Sequence, residues 1–259
     1  MCFEVVVSTL NDGIHSIKLE QKYHYIIVHQ ISNTKIDEYE AYAKRTFEQY
    51  NVKYVQSDTI GLSKSRNIGL SYVTEKFAWI MDDDVILSSA KYHQLCELIE
   101  NFGGEFGLLV LNYTSNINEL NCFQPDVKLT KLEKHQLFHI ASINMLVASV
   151  LIDNGVLFDE SFGLGTDNPS GEEFIFANKA IKLLPVGQSN LIASYHPPVT
   201  SGQDFYSTDR LLTAKLKMFI QVYGRYLGRI VFGLFCIKKS RTLFKKGAAF
   251  RTVKVFFSC

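Results

Sequence analysis

SKSRNIGLSYVTEKFAWIMDDDV, residues 63–85, begins polar and basic, turns apolar from Phe77 to Met81 and ends on Asp82-Asp83-Asp84. Three adjacent carboxylates repel one another, and placing them at the end of a buried strand is costly unless a cation or hydrogen bonds compensate. Hard divalent ions such as Mg²⁺ or Mn²⁺ prefer carboxylate oxygens and commonly bridge one or two of them to a substrate phosphate. Upstream, Lys64, Arg66 and Asn67 lie in or beside a stretch, residues 65–74, that reads as a short helix whose N-terminus and cations could reach a diphosphate. The pattern therefore predicts helix, strand over 77–81, then an acidic site at the strand's carboxyl end.

Working outward, FEVVVS (3–8) and HYIIVH (24–29) are short β-branched and aromatic runs of the kind buried on both faces of a parallel sheet. Ile36, Tyr39, Tyr42, Ala43 and Phe47 fall near helical spacing, and a strand is expected at 52–55. Residues 88–102 read as a helix capped by Ser88 or Ser89, with Leu95, Leu98, Ile99 and Phe102 facing inward, and 106–111 as another strand. This alternation predicts an α/β doubly wound sheet with helices on both faces, whose ligands sit beyond the strands' carboxyl ends. From about 112 the pattern loosens into a polar stretch (112–136), an apolar run (137–152) and a glycine-rich segment. A nucleotide-binding half at 1–111 and an acceptor-binding half at 112–208 are the expected division.

The segment 63–85 resembles the arginine-asparagine helix and DXD strand of family 2 glycosyltransferases, and VVVSTLN resembles that family's first strand. The resemblance implies a GT-A fold, a Rossmann-like sheet that binds a nucleotide sugar, and an inverting, metal-dependent sugar transfer. It implies that Asp84 ligates Mn²⁺ or Mg²⁺ and that Asp82 and Asp83 lie toward the nucleotide. Thr9, Asn11, Lys64, Arg66 and Asn67 would complete the donor-nucleotide site. The second strand departs from the family pattern: it ends His29-Gln30-Ile31-Ser32 where an acidic, serine-containing loop is usual.

FDESFGLGTDNPSGEEFIF (158–176) carries the second likeness, a turn, a glycine-rich loop and an acidic pair opening a helix. By its position Glu173 is the implied general base and Glu172 orients the acceptor; the plain alternative is a helix start capped by Ser170, with Glu173 completing a capping box. Asp159 and Glu160 are expected to stabilise the turn. In LIASYHPPV, His196 follows an apolar strand and precedes two prolines, and the likeness makes it a candidate metal or diphosphate contact. A UDP-sugar is the favoured donor, and a glycan or polyprenyl-diphosphate-linked molecule the acceptor, as in bacterial surface-polysaccharide assembly. Two rivals remain open: a sugar nucleotidyltransferase, although VVVSTLN lacks the glycine-rich basic loop such enzymes need, and a silent nucleotide-sugar-binding scaffold.

The 259 residues, 47% apolar, suffice for one large domain. The five cysteines (Cys2, Cys96, Cys122, Cys236, Cys259) are odd in number and show no CxxC spacing, so neither a disulfide framework nor a zinc site is expected. The N-terminus lacks the pattern of a signal peptide, which points to a cytoplasmic protein. Charge is uneven: of 27 Lys and Arg residues 12 fall in 209–259, against one of the 26 Asp and Glu. Within that tail, Lys217, Gln221, Arg225 and Arg229 recur every four residues, which predicts one amphipathic basic helix over 215–237. Its arginines argue against a membrane-spanning helix. Residues 215–257 are expected to lie on an anionic membrane surface, placing the protein on the cytoplasmic face of the inner membrane. No nucleic-acid-binding motif is present, and the preceding domain is acidic.

Overall fold

The computed structural model describes residues 2–198 and 204–258; Cys259 lies outside them. Nine strands form one mixed sheet: β1 (Phe3–Leu10), β2 (His24–Gln30), β3 (Asn51–Ser57), β4 (Phe77–Asp82), β5 (Ile86–Leu87), β6 (Leu108–Thr114), β7 (Leu129–Lys131), β8 (Met145–Ala148) and β9 (Val186–Tyr195). Their spatial order is β3-β2-β1-β4-β8-β6-β9-β5, with β7 pairing to β9 outside that path. The first four strands are parallel. Strand β8 runs antiparallel between β4 and β6. The helices are α1 (Ile36–Phe47), α2 (Leu62–Leu70), α3 (Tyr92–Phe102), α4 (Ile117–Leu120), α5 (Ser149–Asp153), α6 (Glu172–Ala180), α7 (Asp209–Tyr223), α8 (Arg225–Lys238), α9 (Ser240–Lys245) and α10 (Ala249–Ser258).

Because side chains alternate across a strand, each apolar run fills two cores. Val5, Val7, Ile27 and Trp79 point to the face covered by α1 and α3, where Tyr39, Ala43, Leu95, Leu98 and Ile99 are buried. Val6, Ile26, Val28, Ala78 and Ile80 point to the other, which also holds Leu70, Phe174, Leu212, Phe219 and Phe232 from α2, α6, α7 and α8. Two-sided burial explains why strand after strand is continuously apolar. Helix α2 lies close on the sheet: a Cβ at Gly69 would stand 2.3 Å from Val6 Cγ1.

Several boundaries differ from the sequence reading. Helix α2 starts at Leu62 and stops at Leu70, short of 74, because the chain turns at Ser71 and Tyr72 to enter β4. Helix α3 begins at Tyr92; Ser88 caps a preceding turn instead, its Oγ accepting from Ala90 N. The expected single tail helix is two, α7 and α8, broken at Gly224, whose φ of 80° suits glycine. Gly228 of α8 abuts the backbone of Ile220, where a Cβ would come within 2.6 Å of Ile220 Cα, so the two helices fold back on each other. The four-residue stripe from Lys217 to Arg229 therefore does not share one face.

Candidate functional site

The triplet ends β4 beside the carboxyl end of β1, with Ser8 opposite Asp82 in the register. Each aspartate has its own anchor. Asp82 Oδ1 accepts from Arg66 Nη2 at 3.1 Å. Asp83 Oδ2 accepts from Thr9 Oγ1 at 2.6 Å, and burial, with Asp82 and Asp84 alongside, holds its carboxyl above the usual carboxylate range. Gly13 leaves room for it, since a Cβ there would lie 2.2 Å from Asp83 Oδ2.

Asp84 is half exposed, and its Oδ1 lies 3.4 Å from His196 Nε2. The short strand β5 causes this meeting. It follows the triplet directly and pairs with the end of β9, Ile86 opposite Tyr195, so the residue after Tyr195 arrives at Asp84. His196 Nδ1 lies 2.5 Å from the Pro197 carbonyl, which can only accept, so Nδ1 donates there and Nε2 is the nitrogen left facing the carboxylate. A carboxylate oxygen and an imidazole lone pair directed at one spot form a donor pair that a divalent cation satisfies. Among the described residues no cluster of three or more His, Cys, Asp or Glu could hold a metal alone. The pair thus fits a divalent ion that accepts both oxygen and imidazole nitrogen, as Mn²⁺ does, with water and a substrate phosphate supplying the other ligands.

The acidic pair opens α6. Gly171, not Ser170, is the N-cap, with φ of 111° and no side-chain cap bond. That backbone angle favours glycine, and Met218 of α7 packs against it, 2.8 Å from where a Cβ would be. The capping-box alternative is therefore not realised. Glu172 is buried and Oε1 accepts from Arg66 Nη1 at 3.2 Å; Oε2 has no protein partner. Burial, reinforced by Glu173 and opposed by Arg66, pushes its carboxyl up to about 8. Glu172 is thus turned inward, toward Arg66. Glu173 is the accessible member, its side chain 22% exposed, with Oε1 4.0 Å from Arg66 Nη1.

Arg66 is the centre of the site. Its side chain is 1% exposed, and its guanidinium bonds Asp82, Glu172 and Ser142 Oγ, the last at 2.7 Å. It is thus an internal linker between the two acidic motifs. Asn67 is also turned inward. Its amide receives Phe158 N at 2.9 Å and donates to Phe158 O at 3.0 Å and to Glu160 Oε1, bolting the 158–161 turn to α2. Asp159 stabilises the same turn through Ser161. Thr9 is buried and spent on Asp83, and Asn11, at φ of 49°, uses both polar atoms of its side chain on Ser32. Lys64 borders a polar cleft with Ser161, Thr166, Arg210 and Lys217; the three aspartates do not line it.

The comparison with known sequences now decides what this architecture belongs to. The model of the family described as "Glycosyl transferase family 2" matches residues 3–140, more than half of the chain. The protein is a family 2 glycosyltransferase. No curated protein matches it. In fold this glycosyltransferase is similar to residues 1–349 of TarS from S. aureus, with 17% identity over 99% of this chain and 80% of that one and a TM-score of 0.60. TarS 1–349 solved in complex with UDP-GlcNAc gives 15% identity over 98% and 79%, TM-score 0.62. The mannosyltransferase PcManGT from Pyrobaculum calidifontis, solved with GDP-Man and Mn²⁺, gives 10% over 95% and 75%, TM-score 0.57. The nine-stranded sheet is the GT-A fold of these neighbours.

Three parts of the glycosyltransferase site carried no sequence signal of their own. Lys215 of α7 is largely buried and faces Glu173 and Glu172; burial holds its ammonium below the usual range, and the two carboxylates oppose that. In sequence it is one more lysine of the basic tail. His29, where the second strand departs from the family pattern, is fully buried between Tyr54 Oη at 2.7 Å and the Asn11 carbonyl at 2.8 Å. Burial lowers its basicity, and His29 ties β2 to β3 and to the turn that follows β1. Ser142 reaches Arg66 from a loop whose place depends on β8.

Proposed function

We propose that this glycosyltransferase transfers sugar with inversion, in one displacement, from a nucleotide-diphosphate sugar to a hydroxyl of a glycan or polyprenyl-diphosphate-linked acceptor. The observation that carries this reading is the double ion pair of Arg66 with Asp82 and Glu172, because it makes one cluster of two acidic motifs far apart in the chain. Glu173, accessible beside that cluster, supplies the base a single displacement needs, and Asp84 with His196 supplies the donor end.

In this reaction Glu173 takes the proton of the acceptor hydroxyl as its oxygen bonds the anomeric carbon. The bond from that carbon to the diphosphate oxygen breaks on the opposite face, and the nucleoside diphosphate leaves with the electron pair. Arg66, fixed by Asp82 and Ser142, holds Glu172 and so the start of α6, which sets where Glu173 points. Asp84 and His196 would hold Mn²⁺ or Mg²⁺, which when bound offsets charge on the departing diphosphate. A UDP-sugar is the favoured donor, supported by the likeness to TarS solved with UDP-GlcNAc. Assembly of a bacterial surface polysaccharide such as O-antigen, capsule or lipopolysaccharide is the proposed setting.

The test is Glu173→Gln. It is expected to keep donor affinity within about twofold and to lose turnover by about 10²–10⁴, the range that general-base removal gives. Sugar transfer at near the wild-type rate would overturn the assignment.

A further inference from the structure

The basic tail that the sugar-transfer chemistry leaves unused has an unusual surface. Helix α8 is apolar on two opposite sides. Gly228 and Phe232 are buried and Phe235 packs against the core. At 100° per residue the opposite stripe is Tyr226, Leu227, Ile230, Leu234 and Ile237, and these are 51% to 85% exposed. A helix apolar all round belongs in a place where both sides are covered. Helix α10 repeats the pattern: Val255 is buried, while Phe250, Val253 and Phe257 form a stripe 56% to 84% exposed. The helices touch through Phe256, whose ring stacks on Phe232 with centroids 6.4 Å apart and whose carbonyl accepts from Arg229. Exposed apolar side chains on this scale mark an interaction face.

Charge decides between occupants. The only acidic residue of 209–259 is Asp209, and it is consumed by Arg251 and Lys254, each at 3.0 Å. Lys238, Lys239, Arg241, Lys245 and Lys246 cluster at and after the end of α8, and none of these five pairs with a carboxylate among the described residues. A second copy of the chain would set this uncompensated charge against its own twin, since a two-fold contact brings the same patch to both sides. A bilayer with anionic headgroups accepts the apolar stripes and the cations together. No described helix is long and apolar enough to cross a membrane.

We propose that α8 and α10 form an in-plane anchor on an anionic bilayer, their exposed stripes entering the acyl boundary and the lysines meeting the headgroups. Tyr226 sits where an amphipathic ring is suited to the interface. This anchor is the structural form of the cytoplasmic-face location expected for the tail, and it does not depend on which sugar is moved. Because α8 packs on α7, and Gly171 at the head of α6 packs on Met218 of α7, a single helix layer of about 8–10 Å separates the anchor from the helix of Glu173.

The full chain is to be sedimented with vesicles of phosphatidylcholine alone and of phosphatidylcholine mixed with phosphatidylglycerol. Binding is expected only to the anionic vesicles, weakening as salt rises. Ile230→Glu combined with Ile237→Glu, at two exposed positions, is expected to leave the melting temperature unchanged and weaken binding at least about tenfold. Tyr226→Trp should blue-shift its emission on vesicle addition, against a background from the one buried tryptophan, Trp79. The proposal is overturned if wild-type protein ignores anionic vesicles, or if the double variant binds as tightly as wild type. It is equally overturned if Tyr226→Trp sediments with the vesicles and shows no shift, or if the chain is a dimer that the double variant turns into monomer.

Discussion

Arg66→Met removes a guanidinium that is 1% exposed and held by two carboxylates, Asp82 at 3.1 Å and Glu172 at 3.2 Å. Methionine fills much of the volume, so the main effect is electrostatic. Breaking one side of a buried ion pair costs about 3–5 kcal/mol, because the partner is left charged in a poor solvent for charge. One escape reduces that cost: Glu172, already pushed up to about 8 by burial and Glu173, can take a proton. The loss is therefore expected to depend on pH, about 1 kcal/mol at pH 7, where wild-type Glu172 already holds its proton, and about 3 kcal/mol at pH 9.5, where it has lost it. Glu172→Gln added to Arg66→Met supplies the neutral partner permanently. The double variant should recover at least about 1 kcal/mol at pH 9.5 and lose the pH dependence, a coupling of the size seen within one network. Urea titration of the four proteins of this cycle at both pH values provides the measurement. Additive effects, or a loss for Arg66→Met below about 1 kcal/mol at pH 9.5, would show that the guanidinium does not hold the carboxylates.

Wild-type stability should itself fall with pH. Glu172 goes from 4.5 in the unfolded chain to about 8 in the folded one, so between those values the folded state binds more protons than the unfolded state and each rise in pH favours unfolding. Its stabilising contribution is complete below pH 4.5 and lost as pH passes 8; melting curves of Glu172→Gln should lack that slope. Gly69→Ala gains about 1 kcal/mol of helix propensity but sets a Cβ 2.3 Å from Val6 Cγ1 and 3.4 Å from Val28 Cγ2. Overpacking costs about 1–3 kcal/mol, and since both neighbours are stiff and buried the clash should win, lowering the melting temperature by a few degrees; an increase would show that α2 can lift off the sheet.

The parts legible in the sequence are those coded by local pattern. Short β-branched and aromatic runs marked β1, β2 and β4, and the aspartates after FAWIM could only lie at a strand's carboxyl end. The strand order could not be read, because β8 enters between β4 and β6 through pairing that no neighbouring residue specifies. The same limit governs the site. Arg66 and Asn67 are two polar residues on one helix, and the sequence cannot show that Glu172 and Phe158 will bury them; only the fold turns an expected donor contact into a linker and a bolt. The rule for helix starts favoured Ser170 over Gly171, and it failed because the fold brings the chain into α6 with φ of 111° at Gly171, an angle suited to glycine. Gly224, by contrast, was a visible break within an apolar run, and the regular spacing of the cations around it concealed the break.

The proposed mechanism of sugar transfer stands or falls on donor binding at the Asp84–His196 end of the sheet. Calorimetric titration of wild-type protein and Asp84→Asn with UDP-GlcNAc, other UDP-sugars and GDP-mannose, each with and without Mn²⁺, tests it directly. At least one nucleotide sugar is expected to bind wild type, Mn²⁺ to tighten that binding about tenfold or more, and Asp84→Asn to abolish the gain while keeping the fold. Absence of binding by every nucleotide sugar, or an Mn²⁺ effect that survives in Asp84→Asn, would contradict it.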